Sequence, residues 1–297
     1  MISVCIPIYN FNVTKLVKEL SRQSSILNVS SEIILIDDCS KSSIKKVNES
    51  ICSNEVYIKL DKNIGRAAIR NKFLNYAKYE NLLFLDCDVI INSKSFLKTY
   101  IDIIKANNAQ IMCGGRTYKA IPPKRDRLLR WKYGVSRESK SHEIRGKSPN
   151  KSFMTNNFVI TKSTFQQIKF DERLNQYGHE DTLFGFELKK RNIKILHIDN
   201  TVLSDGLECN NSYISSTESA VDNLIKILRF INYDKKFIED VRLLRIYYKY
   251  FRLRRLIVVS FIIFKPIIKY FLSKGYVSLY LFEFYKLGTL CVKMKCA

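Results

Sequence analysis

Residues 81–90 read NLLFLDCDVI, an apolar run closed by two acids with a single cysteine between them. Side chains on a strand alternate faces, so Asp86 and Asp88 point the same way if the extended conformation persists past Leu85. Two carboxylates aimed at one spot repel each other. The pair therefore reads either as a place for a divalent cation or as a solvated acidic turn at a strand end. Its surroundings in the chain have to decide.

On both sides of this stretch, strand and helix alternate. ISVCIPIYN, EIILIDDCS, VYIKL and AQIMCGG are short aliphatic, β-branched runs like Leu82–Leu85. Between them lie NVTKLVKELSRQ, with Val13, Leu16, Val17 and Leu20 at helical spacing, and the helical patterns GRAAIRNKFLNYAKYE and SFLKTYIDIIKANN. Such alternation predicts an α/β fold, a mostly parallel sheet flanked by helices on both faces. Ligands of such sheets bind at the carboxyl ends of the strands. Those ends carry Asn10, Asp37–Asp38, Asp61 and Asp86–Asp88. After residue 115 the rhythm breaks into a basic segment, 122–152, expected to be a long loop with short helical pieces. It holds the only tryptophan, Trp131. GHEDTLFGFELKKRN then reads as a helix with acids at its start and Lys189, Lys190 and Arg191 at its end, as the helix dipole favours.

The 297 residues are 46% hydrophobic, which suits a globular chain rather than a disordered one. Eight scattered cysteines without a C-x-x-C pair fit a reduced, cytosolic setting. MISVCIPIYN reads at once as a strand, so no cleaved signal peptide is expected. The net charge of +22 is local: 124–151 and 241–297 together carry 18 of the 22 charges. That charge raises a nucleic-acid-binding alternative, but acids at three strand ends would repel phosphate without a metal, and no nucleic-acid partner is expected. A nucleotidyltransferase of similar logic would need a glycine-rich start, which MISVCIPIYN lacks.

Five pieces in register, IPIYN, LIDDCS, NIGRAAIRN, LDCDV and GHEDTLFGFEL, resemble the family 2 glycosyltransferases, which have the GT-A nucleotide-sugar fold. LDCDV matches the DxD signature of that family. The resemblance implies an inverting transferase that moves a sugar from a nucleoside diphosphate sugar, UDP-linked by base rate, to a saccharide or lipid-linked saccharide of a surface polysaccharide. A catalytically inactive sugar-nucleotide-binding homologue is the alternative. The resemblance also implies roles. Asp88 would contact Mn2+ or Mg2+ directly, and Asp86 the ribose or a metal-bound water. Asp38 would meet the base edge, unless it serves only an Asx-turn, with Asp37 holding the loop. Pro7, Tyr9, Asn10 and Asn63 would line the same pocket. Arg66 or Arg70 would face the nucleotide or else solvent. Asp181 would be the general base and Glu180 its neighbour, the bland reading being a helix N-cap pair. Trp131, Asn156, Asn157 and His179 are weaker acceptor-site candidates. Many relatives place a metal-binding histidine where this chain has Ser204 and Asp205, so Asp205 is a substitute ligand or the site lacks one. His197, inside IKILHI, reads as a core histidine.

The expected organisation is a transferase domain over 1–240, with a nucleotide-sugar half at 1–115 and an acceptor half at 116–240, followed by a basic amphipathic tail at 241–297. The longest uncharged apolar run of the tail, LIVVSFIIF, is shorter than the roughly 20 residues a bilayer-spanning helix needs. Lysines mixed with aromatics suit a segment lying in the headgroup region on the inner face of the cell membrane. A helical pair packed on the domain, or a dimer interface, would also account for it.

Overall fold

The computed structural model describes residues 1–174 and 176–295. In chain order the elements are β1 (Ile2–Ile8), α1 (Thr14–Ile26), β2 (Ser31–Asp37), α2 (Ser42–Ser50), β3 (Val56–Lys59), α3 (Arg66–Lys72), β4 (Asn81–Leu85) and β5 (Val89–Ile90). There follow α4 (Phe96–Ala106), β6 (Ile111–Cys113), β7 (Arg116–Thr117), α5 (Leu128–Tyr133), α6 (His142–Gly146), β8 (Asn157–Thr161), α7 (Lys162–Gln167) and α8 (Glu180–Lys190). The chain closes with β9 (Ile195–His197), β10 (Val202–Ser204), α9 (Asn210–Phe230), α10 (Lys235–Asp240), α11 (Arg242–Lys249), α12 (Arg254–Ser273) and α13 (Leu279–Lys295).

The chain divides into two compact units. The first comprises 1–118, 139–175 and 184–206. It is built on a seven-stranded sheet of order β3-β2-β1-β4-β8-β6-β9, in which β8 alone pairs antiparallel with its neighbours. This is the mostly parallel α/β sheet that the alternation of strands and helices predicts. Strand alternation sorts the core into two layers. Ile2, Val4, Ile6, Leu35 and Leu83 meet Leu16, Leu20 and Tyr100 of α1 and α4 on one face. Cys5, Ile34, Ile36, Phe84 and Phe158 meet Ile69, Phe165 and Phe184 on the other. Phe84 sits 5.6 Å from Phe73, 5.0 Å from Phe158 and 5.4 Å from Phe165, centroid to centroid. Cutting such a ring to alanine costs about 3–5 kcal/mol. A second, three-stranded sheet of order β5-β10-β7 lies beyond the end of β4.

The second unit comprises 119–138, 176–183 and 207–297. Residues on both sides of position 240 fall in this unit. Leu129 of α5 and Tyr213 and Ile214 of α9 share one core with Phe261, Ile268 and Leu272 of α12 and Phe282 and Tyr285 of α13. Lys293 closes the packing with an ion pair to Asp222 at 2.6 Å. Counting only uncharged runs also understated α12. It continues through Lys265, Pro266 and Lys269, and the 23 residues Phe251–Ser273 are long and apolar enough to cross a membrane. The basic segment does fold as short helical pieces, α5 and α6 among them.

Candidate active site

In the first unit the ends of β1 and β2 are tied together by side-chain bonds to the backbone. Asn10 takes a left-handed conformation (φ 51°), accepts from the Lys41 amide at 2.8 Å, and its own amide donates to Ser40 Oγ at 2.7 Å. Buried Asp37 accepts from the Ser40 amide at 2.7 Å and from the Tyr57 hydroxyl at 3.0 Å. Asp38 is equally buried and spans the start of α3, accepting from the amides of Ile64 at 2.7 Å and Gly65 at 3.0 Å. Burial pushes its carboxyl up against the pull of those two amides. Gly65, at φ 85°, supplies the turn into α3. Asn63 donates to the Asp38 carbonyl at 3.2 Å, and Tyr9 lies exposed at the end of β1, just past Pro7.

At the end of β4 the two carboxylates part company. Arg66 and Arg70, one helical turn apart on α3, converge on Asp86, at 3.8 Å and 2.7 Å. Burial alone would raise the Asp86 carboxyl, but Arg70, Arg66 and Arg116 overcome it and hold the group below the usual carboxylate range. Asp88 moves the opposite way. Burial first, then the charge of Asp86, raise it, and Arg116 and Arg66 offset only part of that. The β5–β10 pairing brings Asp88 beside residues 205 and 206. The Asp205 amide donates to the Asp88 carbonyl at 3.1 Å, and a Cβ on Gly206 would lie 2.4 Å from Asp88 Oδ2.

Among the described residues no group of three His, Cys, Asp or Glu is arranged to hold a metal ion. The chemistry of the pair nonetheless fits one. Asp86 already has its cations in Arg70 and Arg66, whereas Asp88 is a half-buried carboxylate that Arg116 and Arg66 offset only in part. A Mg2+ or Mn2+ ion that takes one or two protein carboxylates and fills its remaining positions with phosphate oxygens and water matches that deficit.

Asp181 belongs to the second unit, in the first turn of α8, where the helix dipole favours a carboxylate. Its Oδ1 accepts from the Thr182 amide at 2.7 Å. The preceding turn, Gly178 (φ 99°) then His179 (φ 67°), is pinned by the buried Asn223 of α9. The Asn223 amide donates to the carbonyls of Gln176 at 2.9 Å and Gly178 at 3.0 Å. Burial lowers His179 to about 4, aided by the charge of Lys286 and opposed by Glu180, so the imidazole is neutral at pH 7. Glu180 is itself buried.

Residues 3–168, more than half of the chain, match the model of glycosyl transferase family 2. The chain belongs to that family. Comparison with curated protein sequences returns no match. Among solved structures, Staphylococcus aureus TarS is similar at 19% identity and a TM-score of 0.53 over 76% of this chain, which spans 39% of that protein. Its 1–349 fragment, solved with UDP-GlcNAc, is similar at 16% identity and TM-score 0.53, with 99% of this chain and 92% of that one covered. The mannosyltransferase PcManGT from Pyrobaculum calidifontis, solved with GDP-Man and Mn2+, is similar at 13% identity and TM-score 0.55, with 100% and 74% covered. At these identities the likeness carries the fold.

In this glycosyltransferase several residues singled out from sequence have other work. Arg70 is a buried partner of Asp86 and not a solvated helix residue. Asn157 is a core residue. It donates to the carbonyls of Gly115 at 3.1 Å and Asn200 at 2.8 Å and accepts from the Tyr100 hydroxyl at 2.7 Å, so its amide is spent. Asn156 is different. Its carbonyl accepts from the Asp86 amide at 3.2 Å, yet both polar atoms of its buried side chain lack a hydrogen-bond partner among the described residues. Trp131 donates to the Lys119 carbonyl at 2.8 Å in the second unit. His197 is the core histidine expected, held by Arg145 at 2.7 Å and the Pro149 carbonyl at 3.0 Å.

Three residues escaped the sequence reading. Arg145, from the basic segment, is buried and donates to the carbonyls of Cys113 at 2.9 Å, Gly114 at 3.0 Å and Ile198 at 2.8 Å, so it holds strands rather than phosphate. Arg116 enters the Asp86–Asp88 field from β7, and its place just after the AQIMCGG strand was the signal available. Gly206 had no signal, since only the fold brings Asp88 against it.

Proposed function

We propose that this enzyme transfers a sugar, with inversion, from a nucleoside diphosphate sugar, UDP-linked in the first instance, to a hydroxyl of a saccharide or lipid-linked saccharide in surface polysaccharide synthesis. The observation that carries the reading is the unequal pair at the end of β4, Asp86 neutralised by arginine and Asp88 left short of positive charge. A divalent cation, Mn2+ or Mg2+, would supply that charge and offset the charge of the departing diphosphate. The TarS and PcManGT structures, holding UDP-GlcNAc and GDP-Man with Mn2+, support a donor of this class.

The chain's own residues would do the rest. Asp88, with Asp205 beside it, would hold the cation, and Asp86 with its arginines would fix the position of Asp88. Pro7, Tyr9 and Asn10 and the Asp38–Asn63 loop would floor the nucleoside. The acceptor oxygen attacks the anomeric carbon as the bond to the diphosphate breaks, and the hydroxyl proton passes to Asp181. The Thr182 amide fixes the carboxylate by donating to Asp181 Oδ1 at 2.7 Å. Glu180 would position the acceptor beside it.

The test is turnover of a panel of nucleoside diphosphate sugars with membrane-extracted, lipid-linked saccharides, comparing the native chain with Asp181→Asn. That substitution keeps the shape and removes the base. Nucleotide affinity is expected to persist while transfer falls by roughly a hundredfold or more. Loss of nucleotide binding with transfer would assign Asp181 a structural role and sink the general-base reading.

A further inference from the structure

Helix α12 is apolar on two faces. Phe261, Ile268 and Leu272 recur at helical spacing and face the core shared with α9 and α13, and Val258 is buried on the same helix. The packing there is close, since a Cβ on Gly288 would fall 2.2 Å from the Phe261 ring. Leu256, Val259, Ile263, Ile267 and Tyr270 recur with the same period, and each is more than half exposed. At 1.5 Å per residue this second stripe is about 21 Å long. A surface helix of a water-soluble unit normally turns charged residues outward. An apolar stripe of this length marks an interaction surface.

The charges around the stripe choose its partner. Arg242, Arg245, Lys249, Arg252 and Arg255 are all exposed, on α11, the turn after it and the start of α12. Tyr250 and Phe251 lie among them, and Tyr276 and Tyr280 lie past the far end of α12, also exposed. Basic residues flanking an apolar face with aromatics at both ends complement the headgroup region of an anionic bilayer. They oppose a second copy, because residues 241–297 carry twelve Lys/Arg against one acid and two such faces would repel. The other face of α12 is already committed. Lys265 reaches Glu218 of α9 at 3.3 Å, and the core seals the rest. We infer that α12 lies in the plane of an anionic membrane surface, such as the inner face of a cell membrane, with its outer stripe in the acyl boundary and the α11 cations on the headgroups. The inference rests on the second unit alone and holds whatever sugar is transferred.

Flotation of the full chain with phosphatidylglycerol-containing and pure phosphatidylcholine vesicles tests it. Binding is expected on the anionic vesicles at low salt, to weaken at high salt, and to be released by alkaline carbonate. Ile263→Glu with Ile267→Glu, both at exposed positions, should abolish it with the melting temperature kept. Arg252→Ala with Arg255→Ala leaves the apolar stripe intact and should weaken it about thirtyfold, at roughly fivefold per charge near the surface. Several results would overturn the inference. They are no flotation at any salt concentration, equal binding to neutral vesicles, resistance to carbonate extraction, and a concentration-dependent dimer that the glutamate pair dissolves.

Discussion

Two side chains that the fold leaves unbalanced bear most directly on function. Asn156 buries an amide that finds no partner among the described residues, and an unsatisfied buried polar group costs about 1–3 kcal/mol. Its backbone holds Asp86 in place, so a bound donor is the natural partner for the amide. Asn156→Leu should therefore raise the melting temperature of the ligand-free chain and lower its affinity for the donor. A variant that is destabilised, with donor affinity intact, would show the amide to be structural. His179 makes a pH prediction. Unfolded, it takes a proton near its ordinary value of 6.5, whereas the folded protein resists protonation until about 4. The unfolded state thus holds more protons between those values, and stability falls as pH drops from 6.5 towards 4. His179→Gln should flatten that part of the stability curve, read as the difference between denaturant titrations of the two chains. Curves that stay parallel across the window would place the imidazole in ordinary solvent.

At the scale of elements, β5, β7 and β10 make a small sheet whose purpose is placement. β5 follows Asp88, β7 begins with Arg116, and β10 ends just before Asp205 and Gly206. Gly206 is where this arrangement has no slack, because any side chain meets both the Asp88 carboxylate and its Cβ. Gly206→Ala should cost about 1–3 kcal/mol through overpacking and should displace Asp88, weakening cation-dependent nucleotide binding. Unchanged stability and binding, measured by thermal melting and calorimetry, would mean that the loop yields freely. The strand ends were readable from sequence because β-rich runs and terminal acids are local signals. The three-stranded sheet was not, since two-residue strands such as Val89–Ile90 carry no periodicity. The antiparallel β8 between β4 and β6 was equally hidden, because its apolar run states no direction.

Across the whole molecule, family and fold were legible because five short motifs keep their order along the chain, four of them inside the segment that matches the family. Charge was legible as a distribution and misleading residue by residue. Arg145 lies in the basic segment and looks like its neighbours, yet it is buried beneath β6. Composition changes at 241, yet α12 and α13 complete the core that α5 and α9 begin, and long-range packing of that kind leaves no mark in composition. The central claim is that Asp88 is the carboxylate through which this glycosyltransferase holds a cation with its nucleotide. The most direct measurement is the melting temperature of the full chain with UDP and GDP, with and without Mn2+, beside Asp88→Ala. The account predicts that one diphosphate stabilises the native chain only when the cation is present, by about 2.7 kcal/mol at a hundred times its dissociation constant, and leaves Asp88→Ala unmoved. A shift that needs neither cation nor Asp88, or no shift with any nucleotide, would contradict it.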